Sequence, residues 1–122
     1  MEISERAKKI AEILDNKKAQ DIVILKVADM TIISDYFVVA SAPNVSHVQT
    51  LAQDVQFKMA EEDVRPLRVE GERAGRWVVI DYGDVLVHLF HKEEREFYQL
   101  ERLWKTEGNY CNYSEEMEAA RK

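Results

Sequence analysis

Cysteine is nearly absent from this 122-residue chain, which contains only Cys111. A lone cysteine cannot close an internal disulfide, so a disulfide-stapled secreted domain is not expected. Proline and glycine are also scarce, at two and four residues. That scarcity suits a compact domain with short loops. No run approaches the roughly 20 apolar residues that a membrane-spanning helix needs. Met1 to Arg6 enter a charged amphipathic pattern at once, without the apolar core and cleavage site of a signal peptide. The expectation is a soluble, cytoplasmic protein. Positive charge is in deficit as well: 17 Lys and Arg stand against 23 Asp and Glu, for a net charge of −6. A broad phosphate-binding surface needs clustered Lys and Arg, so direct sequence-specific nucleic-acid recognition is not expected. The same charge suits a basic protein partner, because a negative surface speeds and orients that encounter.

The usual signatures of catalysis are missing too. There is no GxGxxG and no GxxxxGK, hence no visible phosphate cradle and no implied cofactor. Ser34 and Ser41 lack the glycine-flanked elbow of a nucleophilic serine. His88 and His91 lie three apart at a strand end, which does not converge them like ligands on one helix turn, and no third ligand accompanies them. His47 is more simply a helix-surface residue. Glu93, Glu94 and Glu96 fall in a first helical turn, where acids complement the dipole. Asp81 and Asp84 resemble a carboxylate pair, but Asp84 falls at a turn apex, where Asp is common for conformational reasons. Cys111 has no local activating pattern and reads as an inert surface or tail thiol.

What is present reads as a single α/β (α+β) domain. Ser4 suits an N-cap, and Ile3, Ala7, Ile10 and Leu14 follow at helical spacing. Residues 21–27 form a nearly continuous apolar strand, as expected in mid-sheet. A second strand spans 36–40. Asn44 can cap a long helix with the stripe Val48, Leu51, Ala52, Val55 and Met59. A short strand at 67–70 and a charged loop at 71–75 follow. Two strands, 77–82 and 85–90, flank Gly83-Asp84, a two-residue loop whose leading Gly accepts positive φ. Residues 92–104 predict a helix with Phe97, Leu100, Leu103 and Trp104 inward. The predicted order is α-β-β-α-β-β-β-α, a mixed five-stranded sheet with helices. The domain is expected to span 1–106, with 107–122 a polar tail that frays or forms a short helix from Ser114.

The tight loop sets the register of the hairpin. Tyr82 faces Val85, Ile80 faces Val87 and Val78 faces Leu89, and these six share one largely aliphatic face. The opposite face carries Trp77, Val79, Asp81, Leu86, His88 and Phe90. It is apolar, yet holds a carboxylate and an imidazole. Two arrangements satisfy that pattern. The face binds a protein partner through aromatic anchors and a few placed polar groups. Alternatively a helix covers it, and Asp81 and His88 bond to each other or to backbone, since an unpartnered buried Asp costs several kcal/mol.

Several segments together resemble the Iojap or ribosomal silencing factor family. They are Asp35-Tyr36-Phe37-Val38-Val39-Ala40-Ser41, Glu70-Gly71, W-V-V-I-D-Y-G-D-V-L-V-H-L-F from Trp77 to Phe90, and E-R-E-F-Y-Q-L-E-R-L-W from Glu94 to Trp104. The likeness covers about residues 4–106. It implies a reduced nucleotidyltransferase-like fold without catalytic machinery, and the chain indeed lacks a Gly-Ser pair followed by an Asp-x-Asp strand. It implies a regulator rather than an enzyme. The factor would bind the large ribosomal subunit through ribosomal protein fourteen, block docking of the small subunit and lower translation under nutrient limitation. Organellar relatives act in large-subunit assembly. The implied site falls on the mixed hairpin face. Trp77, Val79, Leu86 and Phe90 would be apolar anchors beside His88. Asp81, with Glu70, would accept hydrogen bonds from basic groups. A sticky face of this kind can also pair with a second copy of the chain when the partner is absent, which makes a symmetric homodimer a third possibility. Ser34 stands where Thr is usual, and Ala42-Pro43 where a glycine-containing loop is usual. The alternative from a different class is a residual nucleotide-binding or nucleotidyltransferase-like protein.

Overall fold

The computed structural model describes residues 3–121. Helix α1 (Glu5–Asn16) leads into strands β1 (Gln20–Lys26) and β2 (Tyr36–Ala42). Helix α2 (Val45–Glu61) precedes β3 (Arg68–Glu70), β4 (Trp77–Asp81) and β5 (Val85–His91). Then come α3 (Lys92–Tyr98), α4 (Leu100–Trp104), β6 (Tyr110–Asn112) and α5 (Tyr113–Ala120). The strands form one mixed sheet in the order β3-β4-β5-β2-β1-β6. β2 and β5 run parallel, while the other neighbouring pairs are antiparallel.

Both long helices start where side chains satisfy their open N–H groups. Ser4 Oγ accepts from the Ala7 N–H at 3.1 Å, and Asn44 Oδ1 accepts from the His47 N–H at 2.8 Å. The stripe Ala7, Ile10, Ala11, Ile13 and Leu14 of α1 lies beside Val48, Leu51, Ala52, Val55 and Met59 of α2. Together they bury one sheet face, including Ile22, Ile24, Val38, Ala40, Val78, Ile80, Val87 and Leu89. Burying one such Leu or Ile stabilises the fold by about 1.5–3 kcal/mol. The predicted hairpin register is found: Val78 pairs with Leu89 and Ile80 with Val87. The Tyr82 N–H closes it on the Val85 carbonyl at 2.9 Å. Gly83 adopts φ +87° in the turn, a conformation that side chains disfavour. Gly71 has a steric reason as well, since a Cβ there would come 2.1 Å from the Trp77 carbonyl oxygen.

The α+β class and mixed sheet are as expected, but the sheet has six strands rather than five. The sixth is β6, inside the stretch 107–122 expected to be a polar tail. Three residues are too short to show alternation, and β6 exists because β1 offers an open edge, pairing Ile24 with Cys111. Cys111 and Tyr113 join the first core, and Ser114 Oγ accepts from the Ile22 N–H at 2.8 Å. Cys111 is therefore buried, not a surface thiol. Burial and the neighbouring Glu116 carboxylate push its pKa up to about 11, so the thiol stays protonated.

The single helix expected over 92–104 is two. Gln99 takes a left-handed conformation (φ 47°, ψ 51°) and separates α3 from α4. The break turns the second half out of phase with the first. Phe97 and Leu103, expected inward, are 79% and 74% exposed. Leu100 and Trp104 do pack inward, against the second sheet face.

Candidate functional site

The second face begins as a row of alternate residues. Strand alternation and pairing place Val23 and Leu25 of β1 beside Phe37 and Val39 of β2. Leu86, His88 and Phe90 of β5 come next, then Trp77, Val79 and Asp81 of β4, with Arg68 and Glu70 of β3 at the edge. Val23, Leu25, Val27, Phe37, Val39 and Phe90 form a second buried cluster. Trp77, Leu86, Leu100, Trp104 and Tyr110 pack around it, partly buried.

The cover over this cluster is slight. Trp104 meets Phe37 edge-on, with ring centroids 5.1 Å apart. Neither α3 nor α4 contains a fully buried residue. Arg95 secures the pair to the sheet. Its guanidinium grips Glu101 at 2.7 Å and donates to the Gln20 carbonyl (3.3 Å) and Ser41 Oγ (3.2 Å). The Arg95 side chain is only 11% exposed, so this contact is partly shielded from solvent.

The six residues predicted for the hairpin face do share it, but they are not equally accessible. Phe90 is fully buried and His88 is 5% exposed, so neither presents a surface to a partner. Trp77, Val79, Asp81 and Leu86 are half-buried, and Glu70 is exposed. The two arrangements open to the sequence therefore divide the face between them. The β1–β2 side is covered core, while the β4 strand and Leu86 remain partly open.

Asp81 and His88 have separate partners and do not bond to each other. Asp81 Oδ1 accepts from the Gly83 N–H at 2.8 Å, and its other oxygen faces Arg68 at 3.4 Å. Asp84 instead pairs with Arg6 of α1 at 2.7 Å. The two aspartates thus have different partners, consistent with turn and bracing roles. The Trp77 indole donates to His88 Nδ1 at 3.2 Å. Burial lowers the His88 pKa to about 4, which keeps the ring neutral near pH 7. Trp77 also stacks on Phe90 at 4.8 Å and leans on Tyr98 at 4.9 Å.

Sequence reasoning missed Arg68, Tyr98 and the loop before β2. Arg68 shares the edge strand with Glu70, and its proximity to Asp81 depends on β3 pairing. Tyr98 is 47% exposed beside Trp77. In the loop, Met30, Ile32 and Ile33 are exposed, with Ile32 wholly so. The adjacent isoleucines outside any strand period were the available signal. Among the described residues no cluster of three or more His, Cys, Asp or Glu is placed to hold a metal ion. No helix among them is long and apolar enough to cross a membrane.

The family described as "Ribosomal silencing factor during starvation" matches residues 1–122. The chain belongs to this family. A ribosomal silencing factor RsfS from Halalkalibacterium halodurans is 40% identical over 91 residues, 75% of this chain and 78% of the relative. The chloroplastic protein Iojap of Arabidopsis thaliana is 32% identical over 105 residues, 80% of this chain and 41% of that protein. A crystal structure of a Chromobacterium violaceum protein superposes with a TM-score of 0.81 at 34% identity, covering 89% of this chain and 92% of that one. The silencing-factor match includes β6 and α5, beyond the 4–106 stretch whose motifs carry the resemblance.

Proposed function

We propose that this silencing-factor chain docks on the large ribosomal subunit through the half-open strip of its second sheet face. The partner is ribosomal protein fourteen, and the bound chain occupies space that the small subunit needs. The observation that carries the reading is the strip itself: Trp77, Val79 and Leu86 remain half-buried beside strands whose same-face residues are buried. Apolar anchors with a charged rim match the anatomy of a protein-docking site. Glu70 and Asp81 stand at the rim, and the net charge of −6 favours a basic partner. An incoming guanidinium would displace Arg68 from Asp81. Arg68 is largely exposed, so the exchange costs little, and the Asp81 bond to Gly83 is kept.

The mechanism requires no bond-making step, only exclusion of one body by another. It lowers translation in the cytoplasm under nutrient limitation. Without its partner, the same strip pairs with that of a second copy about a two-fold axis. A light-scattering concentration series checks this, and a strict monomer at high concentration rules out the dimer. The docking site is tested by co-sedimentation with purified large subunits. Trp77→Ala with Asp81→Ala should weaken co-sedimentation while circular dichroism retains the folded signal. Unchanged co-sedimentation of a folded double variant sinks the site assignment.

A further inference from the structure

The geometry points to His88 as the positioning residue for Trp77: from inside the sheet it sets which edge of the indole the half-open strip presents. This rests on the docking reading of Trp77, and it moves His88 from contact to support.

The chemistry of the pair is one-directional. An indole N–H donates and cannot accept, so His88 Nδ1 must be the unprotonated acceptor at 3.2 Å. The ring proton then resides on Nε2, which is buried without a hydrogen-bond partner among the described residues. His88 is itself held firmly. Phe37 meets its ring edge-on with centroids 4.9 Å apart, and Phe90 lies nearly parallel at 6.4 Å. Val39 is its neighbour on β2. The acceptor is thus a fixed point in the second cluster.

Trp77 is not fixed in that way. It is half-buried near the sheet edge, and its other ring contacts are Phe90 and Tyr98. Stacking limits the plane of a ring but tolerates sliding and a flip of the indole about its own attachment. A hydrogen bond is directional and distinguishes the two flipped forms. The pair is also diagonal across the hairpin, since Trp77 faces Phe90 and Val79 faces His88. Diagonal strand neighbours lie within reach of aromatic side chains. Holding an anchor in its bound orientation before contact reduces the ordering cost of association.

The test uses the full chain and two substitutions. His88→Asn keeps an acceptor oxygen near the Nδ1 position but fills less volume. His88→Leu fills the site with apolar atoms and removes the acceptor. The chain has two tryptophans, so the Trp77 indole gives one of two ¹H–¹⁵N side-chain signals in the free protein. In His88→Leu that signal should shift and exchange faster with solvent. Binding to large subunits should weaken roughly tenfold, the scale of one lost hydrogen bond. His88→Asn should retain the signal and most of the binding, even if it melts lower. Binding should follow the acceptor, not the melting temperature. An unmoved indole signal in His88→Leu overturns the proposal, as does binding that simply tracks stability in both variants. Trp77→Ala separates the two claims. If it binds like the parent, the docking reading fails, and the indole signal alone decides whether His88 holds the ring.

Discussion

The two faces of the sheet are built from different materials. The face under α1 and α2 is mainly aliphatic and sealed by two capped helices. The other is rich in aromatic rings, carries His88 and Asp81, and is covered by two short helices with no buried residue of their own. The first face supplies cohesion. The second balances internal contacts against access, because aromatic rings can pack inward and still offer an edge. The division leaves one face to hold the fold together and the other with apolar side chains still partly free.

The sharpest way to break that contrast is to truncate a leucine on each face. Leu89→Ala under the helices should cost about 2–5 kcal/mol, the range for a buried leucine that leaves a cavity. Leu86→Ala, three residues away but only partly buried on the second face, should cost less, about 1–2 kcal/mol. Urea unfolding measures both, and equal losses would erase the distinction between the faces.

A second prediction concerns pH. His88 is held at about 4 in the folded chain, below the ordinary 6.5, because burial penalises its charged form. Between those values the unfolded chain binds more protons than the folded one, so stability falls as pH drops from 6.5 towards 4. The full shift corresponds to roughly 3 kcal/mol. Unfolding curves taken across that window should show a slope that His88→Leu removes. Protonation also fills the Nδ1 acceptor, so the Trp77 indole signal should move over the same low-pH range. A slope unchanged by the substitution would assign the acid sensitivity elsewhere.

The last prediction concerns the cover. Arg95→Met removes the grip on Glu101, Ser41 and Gln20 and should cost about 1–2 kcal/mol, given that the pair is only partly buried. Hydrogen exchange should speed up in α3 and α4 and stay slow in α1 and α2. Uniform acceleration would mean that the cover is not an independent layer.

Some of this was legible in the residues before any coordinates. Ser4 and Asn44 announced the helix starts, and the two-residue loop at Gly83-Asp84 set the hairpin register. Both are local signals, carried within a few residues of chain. The break at Gln99 was not legible, because neither Gly nor Pro marks it and Phe97, Leu100 and Leu103 continue a helical spacing. β6 was not legible either, since its strand character comes from the edge of β1. The candidate site was legible as a set of six residues sharing a face, but not as buried and open subsets. Phe90 and His88 are hidden by rings and helices that arrive from elsewhere in the chain.

By itself, the sequence determined which side chains alternate to which side of each strand, because a strand has period two and a tight turn admits one register. It also carried the motifs that mark the family. Only the tertiary structure decided how far the second face is closed. That depends on where α3 and α4 come to rest, and their path is set by the left-handed Gln99, the Arg95 contacts and the seat of Trp104 on Phe37. The face first read as six candidate contacts thus becomes an open strip of Trp77, Val79, Asp81 and Leu86 backed by Phe90 and His88. Burial is a property of the assembled layers, and no local pattern encodes it.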